Sequence, residues 1–364
     1  MLHSRARLML VSGYLGAVIG AGFASGQEIV QFFVVYGGSG IKGCILAGTL
    51  FALLGGILLS GAHRYKKSNY QNLLQIWLGE RIGSIFDILL ALFLFLGIST
   101  MLSASGAVFY EHLYLPKVMG VLLGYCLVIL LLFIGKNGLI ISYNVLVPIK
   151  IALLLIISGY ICWGIPQEEM VSYVAFEVPG GQGRWVLSAI LYVAYNFSLA
   201  MVVLTEYQTV TSRRDGIMGA IWGGFILGVL VLLNYLALTR FMPTVIHYQV
   251  PMLYISGQIS PFTKSVYTLV LWIGIITTAI ANAYGFTQRV AHLLKIRFQV
   301  CLIVCMTLAL PLAMLSFSQL VGTIYPLFGL LGILLLLSLL LKEGKDIVRE
   351  IYYNIEQLYR TRRR

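Results

Sequence analysis

The sequence predicts an all-α polytopic membrane protein: ten transmembrane helices in a five-plus-five inverted repeat, with helices one and six broken. Three observations predict it. Of the 364 residues, 59% are hydrophobic and only 10% charged, a balance no soluble domain of this length shows. The apolar residues fall into ten runs, roughly 8–36, 41–63, 82–109, 117–135, 138–163, 184–211, 216–242, 263–290, 298–316 and 318–341. Polar stretches interrupt the first and sixth runs at matching places. An odd number of spans per half gives the halves opposite orientation, and paired breaks then point to a site at the midplane. The repeats are expected over 8–163 and 184–341, with a cytoplasmic amphipathic tail over 342–364.

Span one carries Ile19-Gly20-Ala21-Gly22-Phe23-Ala24-Ser25-Gly26-Gln27-Glu28 between two apolar halves, each too short to cross a bilayer alone. Three glycines let the backbone open and let a ligand approach it. Freed backbone groups at that depth need protein, water or solute as partners. The second half-helix would turn its first N–H groups toward the gap, which suits an anion. The blander reading is that Gly16-xxx-Gly20 and Gly22-xxx-Gly26 are packing seams between helices. Glu28 favours the break, because a seam gives no reason for a carboxylate inside the membrane. Glu28 itself has three candidate roles: carrying a coupling proton, pairing with a solute amine, or capping and gating the second half-helix.

Between spans two and three, 69–78 reads as a short interfacial helix with Tyr70 and Trp77 at headgroup level. In span five, Lys150 lies twelve steps after Gly138. At ~1.5 Å per residue that is ~18 Å along the helix, inside a hydrocarbon core ~30 Å thick. A lysine there must face a cavity, a carboxylate or helix-end carbonyls, and becomes a candidate proton exchanger. The alternative is a permanently charged strut. Pro148 would kink the span. Span six holds Tyr195-Asn196-Phe197, where Asn196 needs a partner or a cavity, and further along Glu206, close to Arg213 and Arg214. Glu206 reads as a cytoplasmic gate or a plain ion pair. Between spans seven and eight, 248–259 reads as a short outer helix. Span eight carries Thr277 and Thr278, which with Gly20 form a candidate cation site. Threonine bonding its own helix is the ordinary alternative.

Of the 25 lysines and arginines, nineteen fall in segments that alternate as inside if the N-terminus is inside, five fall outside, and Lys150 lies mid-span. That predicts cytoplasmic N- and C-termini and explains the net charge of +12 without nucleic acid. The basic end of the tail reads as an anchor to anionic lipid. Five cysteines lie in or beside apolar runs with no CxxC pair and no histidine cluster, so neither disulfide nor metal is expected. Arg5, Arg7 and the following apolar run are not read as a leader peptide, because the apolar pattern continues past the break. The glycine spacing lacks the strand and lysine of a phosphate loop. No nucleophile–His–acid set appears, so an enzyme is not expected.

With these residues in view, the chain resembles the amino acid–polyamine–organocation superfamily with its LeuT-type fold. Gly20-Ala21-Gly22 is similar to the Gly-x-Gly motif of that superfamily's first helix, and Ala194-Tyr195 followed by Glu206 is similar to its sixth-helix motif. Asn144-Val145-Leu146-Val147-Pro148-Ile149-Lys150 resembles the fifth helix of its cationic-amino-acid branch. The fuller string Gly20–Ile29, with Gln31-Phe32-Phe33, looks most like the bacterial YkvI family of membrane proteins. Phe197, where the superfamily usually has glycine, and Ser25-Gly26-Gln27-Glu28 depart from the pattern.

The resemblance implies a secondary transporter in the bacterial cytoplasmic membrane for a small amino-acid-like or carboxylate-bearing solute. It implies solute contacts at Val18, Ile19, Gly20, Ala21, Gly22, Phe23, Tyr195, Asn196 and Phe197. Lys150 would stand in place of a sodium ion, with proton coupling or exchange, and no cofactor is expected. The alternatives are a Na⁺-coupled symporter using Thr277 and Thr278, and a solute sensor on a transporter scaffold. The expected partners are the solute and the lipid bilayer.

Overall fold

The computed structural model describes residues 2–66, 70–133, 136–164 and 183–362, with side chains described over 6–66, 70–133, 148–164 and 183–345. The described residues are helical, with no strand among them. The helices are α1 (Leu2–Val18), α2 (Ala21–Ser25), α3 (Gln27–Phe32), α4 (Gly40–Tyr65), α5 (Tyr70–Leu78), α6 (Glu80–His112) and α7 (Lys117–Phe133). They continue with α8 (Lys136–Gly164), α9 (Arg184–Glu206), α10 (Arg213–Thr239), α11 (Pro251–Ile259), α12 (Pro261–Leu294), α13 (Phe298–Ala313) and α14 (Phe317–Arg362). Among the described residues, six helical stretches are long and apolar enough to cross a membrane: Val34–Tyr65, Glu80–His112, Arg184–Thr209, Arg213–Thr239, Pro261–Leu294 and Phe317–Lys345. Shorter apolar helices lie at Ala6–Val18, Lys117–Phe133, Pro148–Gly164 and Phe298–Ala313.

The first apolar run is three helices rather than one. α1 stops at Val18, and Gly20 is extended at φ −87°, ψ −169°. α2 makes barely more than one turn before Gly26 closes it in the left-handed region at φ 81° and opens α3. That φ is free only to glycine. Ser25 Oγ holds the short turn by donating to the Gly22 carbonyl (2.8 Å) and accepting from the Gln27 N–H (3.1 Å).

Two groups of helices surround this segment. α1, α4, α9 and α10 pack on one another, and α6, α7, α12 and α13 pack on one another. Small residues set the first group's spacing: Gly48 meets the Gly228 backbone, and Gly224 meets the backbone of Ala52. α8 bridges α10 and α12, and α14 lies against α9, α4 and α6.

Three sequence expectations need correction here. α9 runs unbroken from Arg184 to Glu206. Asn196 is the reason: its Nδ2 donates to the Tyr192 carbonyl (3.1 Å), so the amide is satisfied within its own helix and leaves the backbone ladder whole. Trp77 does not present its ring on the protein surface. It is 3% exposed, with Nε1 donating to Glu343 Oε1 (2.9 Å). The tail does not begin a new helix: α14 runs on from span ten, and Glu343 near the tail's start is fully buried. The amphipathic pattern beyond residue 345 and position 69 of the interfacial helix lie outside the described residues.

Candidate functional site

A cavity of about 40 Å³ lies at the interruption between α1 and α2. One wall is Ala17, Val18, Gly20, Ala21 and Glu28 from the first run, with Tyr195, Asn196 and Leu199 from α9. The rest of the lining is Phe93, Gly97 and Met101 from α6, Thr278 and Asn282 from α12, and Tyr325 from α14. Its size suits a few waters or the head of a small solute, and is far below the several hundred Å³ of a pocket that engulfs a drug-sized ligand.

Lys150 is 1% exposed and its Nζ donates to the carbonyl of Ile19, the residue at which α1 has just ended. A carbonyl left without a helical donor at that depth requires such a partner. The lysine stem passes Gly274 of α12, where an added Cβ would lie 3.6 Å from Lys150 Cδ. Lys150 thus joins the interruption to α8 and α12, as its depth in the sequence suggested.

Glu28 lies in the first turn of α3, 3% exposed, and its carboxylate folds back over Gly22. A Cβ on residue 22 would fall on Glu28 Oε1, so any side chain there would push the carboxylate out of its place. The Tyr195 hydroxyl and the Asn196 side chain approach the carboxylate without completing a well-aligned hydrogen bond. Glu28 Oε2 and the Tyr195 hydroxyl are both buried and without a hydrogen-bond partner among the described residues.

The aromatic surroundings are continuous. Tyr195 stacks on Phe32 (centroids 5.6 Å apart, planes at 29°) and meets Tyr325 at 4.8 Å and Phe93 at 6.2 Å. Tyr192 meets Phe33 edge-on at 4.9 Å. On that side the Tyr267 hydroxyl donates to the Ala24 carbonyl (2.6 Å), tying α12 to α2. On the other side of the cavity Ala17 and Gly20 are half-buried and Ser12 is exposed.

The remaining predicted residues separate. Thr277 Oγ1 bonds its own helix at Ile273 (2.7 Å) and Gly274 (3.2 Å), so it does not face Gly20. Thr278 does, with Oγ1 3.4 Å from where a Gly20 Cβ would stand. Ile19, Gly22, Phe23 and Phe197 are buried beside the cavity rather than lining it. Glu206 is exposed at the end of α9, away from the cavity. The ion pairs at that end are instead Arg7–Asp215 (2.6 Å), Arg64–Glu343 (3.0 Å) and Arg289–Asp87 (2.7 Å). Sequence reasoning missed Phe93, Gly97, Met101 and Tyr325. Nothing separates these from ordinary lipid-span residues until α6 and α14 are folded against α9.

The architecture is that of known membrane transporters. The manganese transporter of Eremococcus coleocola superposes with a TM-score of 0.61 at 14% identity, over 93% of this chain and 78% of that one. Mhp1, a nucleobase-cation-symport-1 family transporter, superposes in its closed, bromovinylhydantoin-bound form with a TM-score of 0.56 at 15% identity, over 86% and 74%. These likenesses define the class of fold: a helical membrane protein of the LeuT type. No protein-family profile matches the chain. In sequence it is 32% identical to the Bacillus subtilis membrane protein YkvI over 333 residues, covering 91% of this chain and 94% of that protein. It is 25% identical to B. subtilis YyaD over 329 residues, covering 90% and 94%. The chain therefore belongs to the YkvI family of membrane proteins.

Proposed function

We propose that this protein is a secondary transporter of a small amino-acid-like solute. Its halves, 8–163 and 184–341, act as inverted repeats in the bacterial cytoplasmic membrane, with both termini and the 342–364 tail on the cytoplasmic side. The grouping of α1 and α4 with α9 and α10, and of α6 and α7 with α12 and α13, supports the repeat: each set pairs spans five apart. The charge asymmetry of the loops supports the orientation.

The observation that carries the transport reading is the bond from Lys150 to the Ile19 carbonyl beside the cavity. An ammonium there fixes the ends of the interrupted helix while it is charged and releases them when it gives up its proton. Lys150 is thereby the coupling group, and Gly20, Ala21, Tyr195 and Asn196 are the solute contacts. Glu28 makes a solute that offers only a carboxylate a poor match, because two like charges would share one dry site. The sodium alternative keeps one ligand, Thr278. Thr277, committed to its own helix, does not support it.

The experiment has two steps. A thermal-shift screen of amino acids on purified protein identifies a solute, since a ligand that binds the folded form raises its melting temperature. Uptake of that solute into proteoliposomes is then driven by a pH gradient. Lys150→Ala should abolish pH-driven uptake with the protein still present in the membrane. Unchanged pH-driven uptake sinks the coupling role, and loss of uptake on replacing Na⁺ with choline favours the sodium reading.

A further inference from the structure

We infer that Glu28, with Tyr195, Asn196 and the ring cluster of Phe93, Tyr195 and Tyr325, forms a seat for a cationic amine of the solute. The inference rests on the transport reading only in placing a solute in this cavity. Glu28 Oε2 is buried, faces the cavity and has no hydrogen-bond partner among the described residues. The Tyr195 hydroxyl is in the same condition beside it. Asn196 donates one of its two amide N–H groups to the Tyr192 carbonyl and keeps its Oδ1 as an acceptor. Glu28 Oε2 and the Tyr195 hydroxyl thus offer acceptor lone pairs with the Asn196 amide beside them, and a primary ammonium brings three N–H donors.

Charge points the same way. An isolated buried carboxylate is costly unless it is paired. The buried lysine, Lys150, bonds the Ile19 carbonyl, and no ion pair joins it to Glu28 among the described residues. The site is completed either by a proton on Glu28 or by a cation that arrives with the solute, and an ammonium that displaces that proton keeps the charge balanced. The rings suit it: Tyr195, Tyr325 and Phe93 lie against one another in the cavity lining, and aromatic faces attract cations. The small cavity selects a compact head. The seat also explains Gly22, whose missing Cβ is the space the Glu28 carboxylate occupies.

The test compares three probes matched in size: alanine, propylamine and propionate. Each is titrated against the full-length protein in detergent, with melting temperature as readout, in a buffer free of alkali and quaternary ammonium cations. Alanine and propylamine should raise the melting temperature and propionate should not. Glu28→Gln, which keeps the shape and removes the charge, should weaken amine binding about tenfold or more. Tyr195→Phe should weaken it less. A shift with propionate but not propylamine, no shift with either amine, or equal amine binding by Glu28→Gln overturns the seat. So does a shift produced by NaCl alone and lost in Glu28→Gln, which would assign the oxygens to an alkali cation. Transport fails separately: amine binding that depends on Glu28, without counterflow of that amine in proteoliposomes, keeps the seat and removes the transporter.

Discussion

At the scale of single residues, Gly22 and Gly274 make opposite demands although both border the interruption. A Cβ at position 22 would coincide with the Glu28 carboxylate, whereas one at position 274 would meet Ala21, Ala24 and Lys150 at ordinary contact distance, 3.6 Å. Gly22→Ala is therefore expected to displace Glu28 and lower solute uptake at least tenfold, while Gly274→Ala leaves uptake within about twofold. Uptake assays on the two variants, at matched membrane levels, check this pair; equal losses would mean that Gly22 acts through backbone freedom alone. The sequence disclosed Lys150 because depth alone makes a mid-membrane ammonium conspicuous. It did not disclose how Glu28 meets Tyr195, since a left-handed residue at Gly26 turns α3 so that its first carboxylate points back at α2. Periodicity holds no record of such a reversal. Asn196 misled for the converse reason: a polar side chain that bonds its own helix looks, in a sequence, like one that breaks it.

At the scale of elements, α5 was legible as a short amphipathic helix, but its anchorage was not. The Trp77 indole and the Arg64 guanidinium both reach Glu343, which lies more than 250 positions away on α14 and is fully buried. Lys342 Nζ adds a bond to the Ile76 carbonyl (2.9 Å), and Arg289, Tyr70 and Gln71 converge on Asp87 from the other end of α5. The helix is thus fastened to α14 at one end and to α6 and α12 at the other. Trp77→Phe keeps an aromatic ring of smaller size and deletes one donor to a buried carboxylate, a loss of about 1–3 kcal/mol from the bond with a further cost for the space left by the indole. A fall in the melting temperature of the detergent-solubilised protein is expected, and Glu343→Gln in the same chain should recover part of it, because a neutral amide left without that donor costs less than a carboxylate. A double variant no better than Trp77→Phe would show that ring packing, not the bond, holds α5.

At the scale of the whole molecule, what matters is which bonds cross between the two helix groups and which stay within one. Arg7–Asp215 joins α1 to α10 inside the first group, and Arg289–Asp87 joins α12 to α6 inside the second. Rocking one group against the other leaves both intact. Tyr267 to Ala24 is different: it runs from α12 to α2, across the aromatic side of the cavity. Opening that side must break it, while Ala17 and Gly20, which also line the cavity, are only half-buried in this form. One net hydrogen bond of about 1 kcal/mol shifts a two-state balance about fivefold. Tyr267→Phe removes that bond and little else, so the form open on the aromatic side should rise about fivefold. A cysteine replacing Ser25 on α2, near-isosteric and buried in the closed form, reports it. In intact cells a membrane-impermeant maleimide should label Ser25→Cys about five times faster when Tyr267→Phe is also present, measured against a parent carrying only the native cysteines. An unchanged rate would mean that the ring stacking of Phe32 on Tyr195, rather than the Tyr267 bond, keeps this side shut.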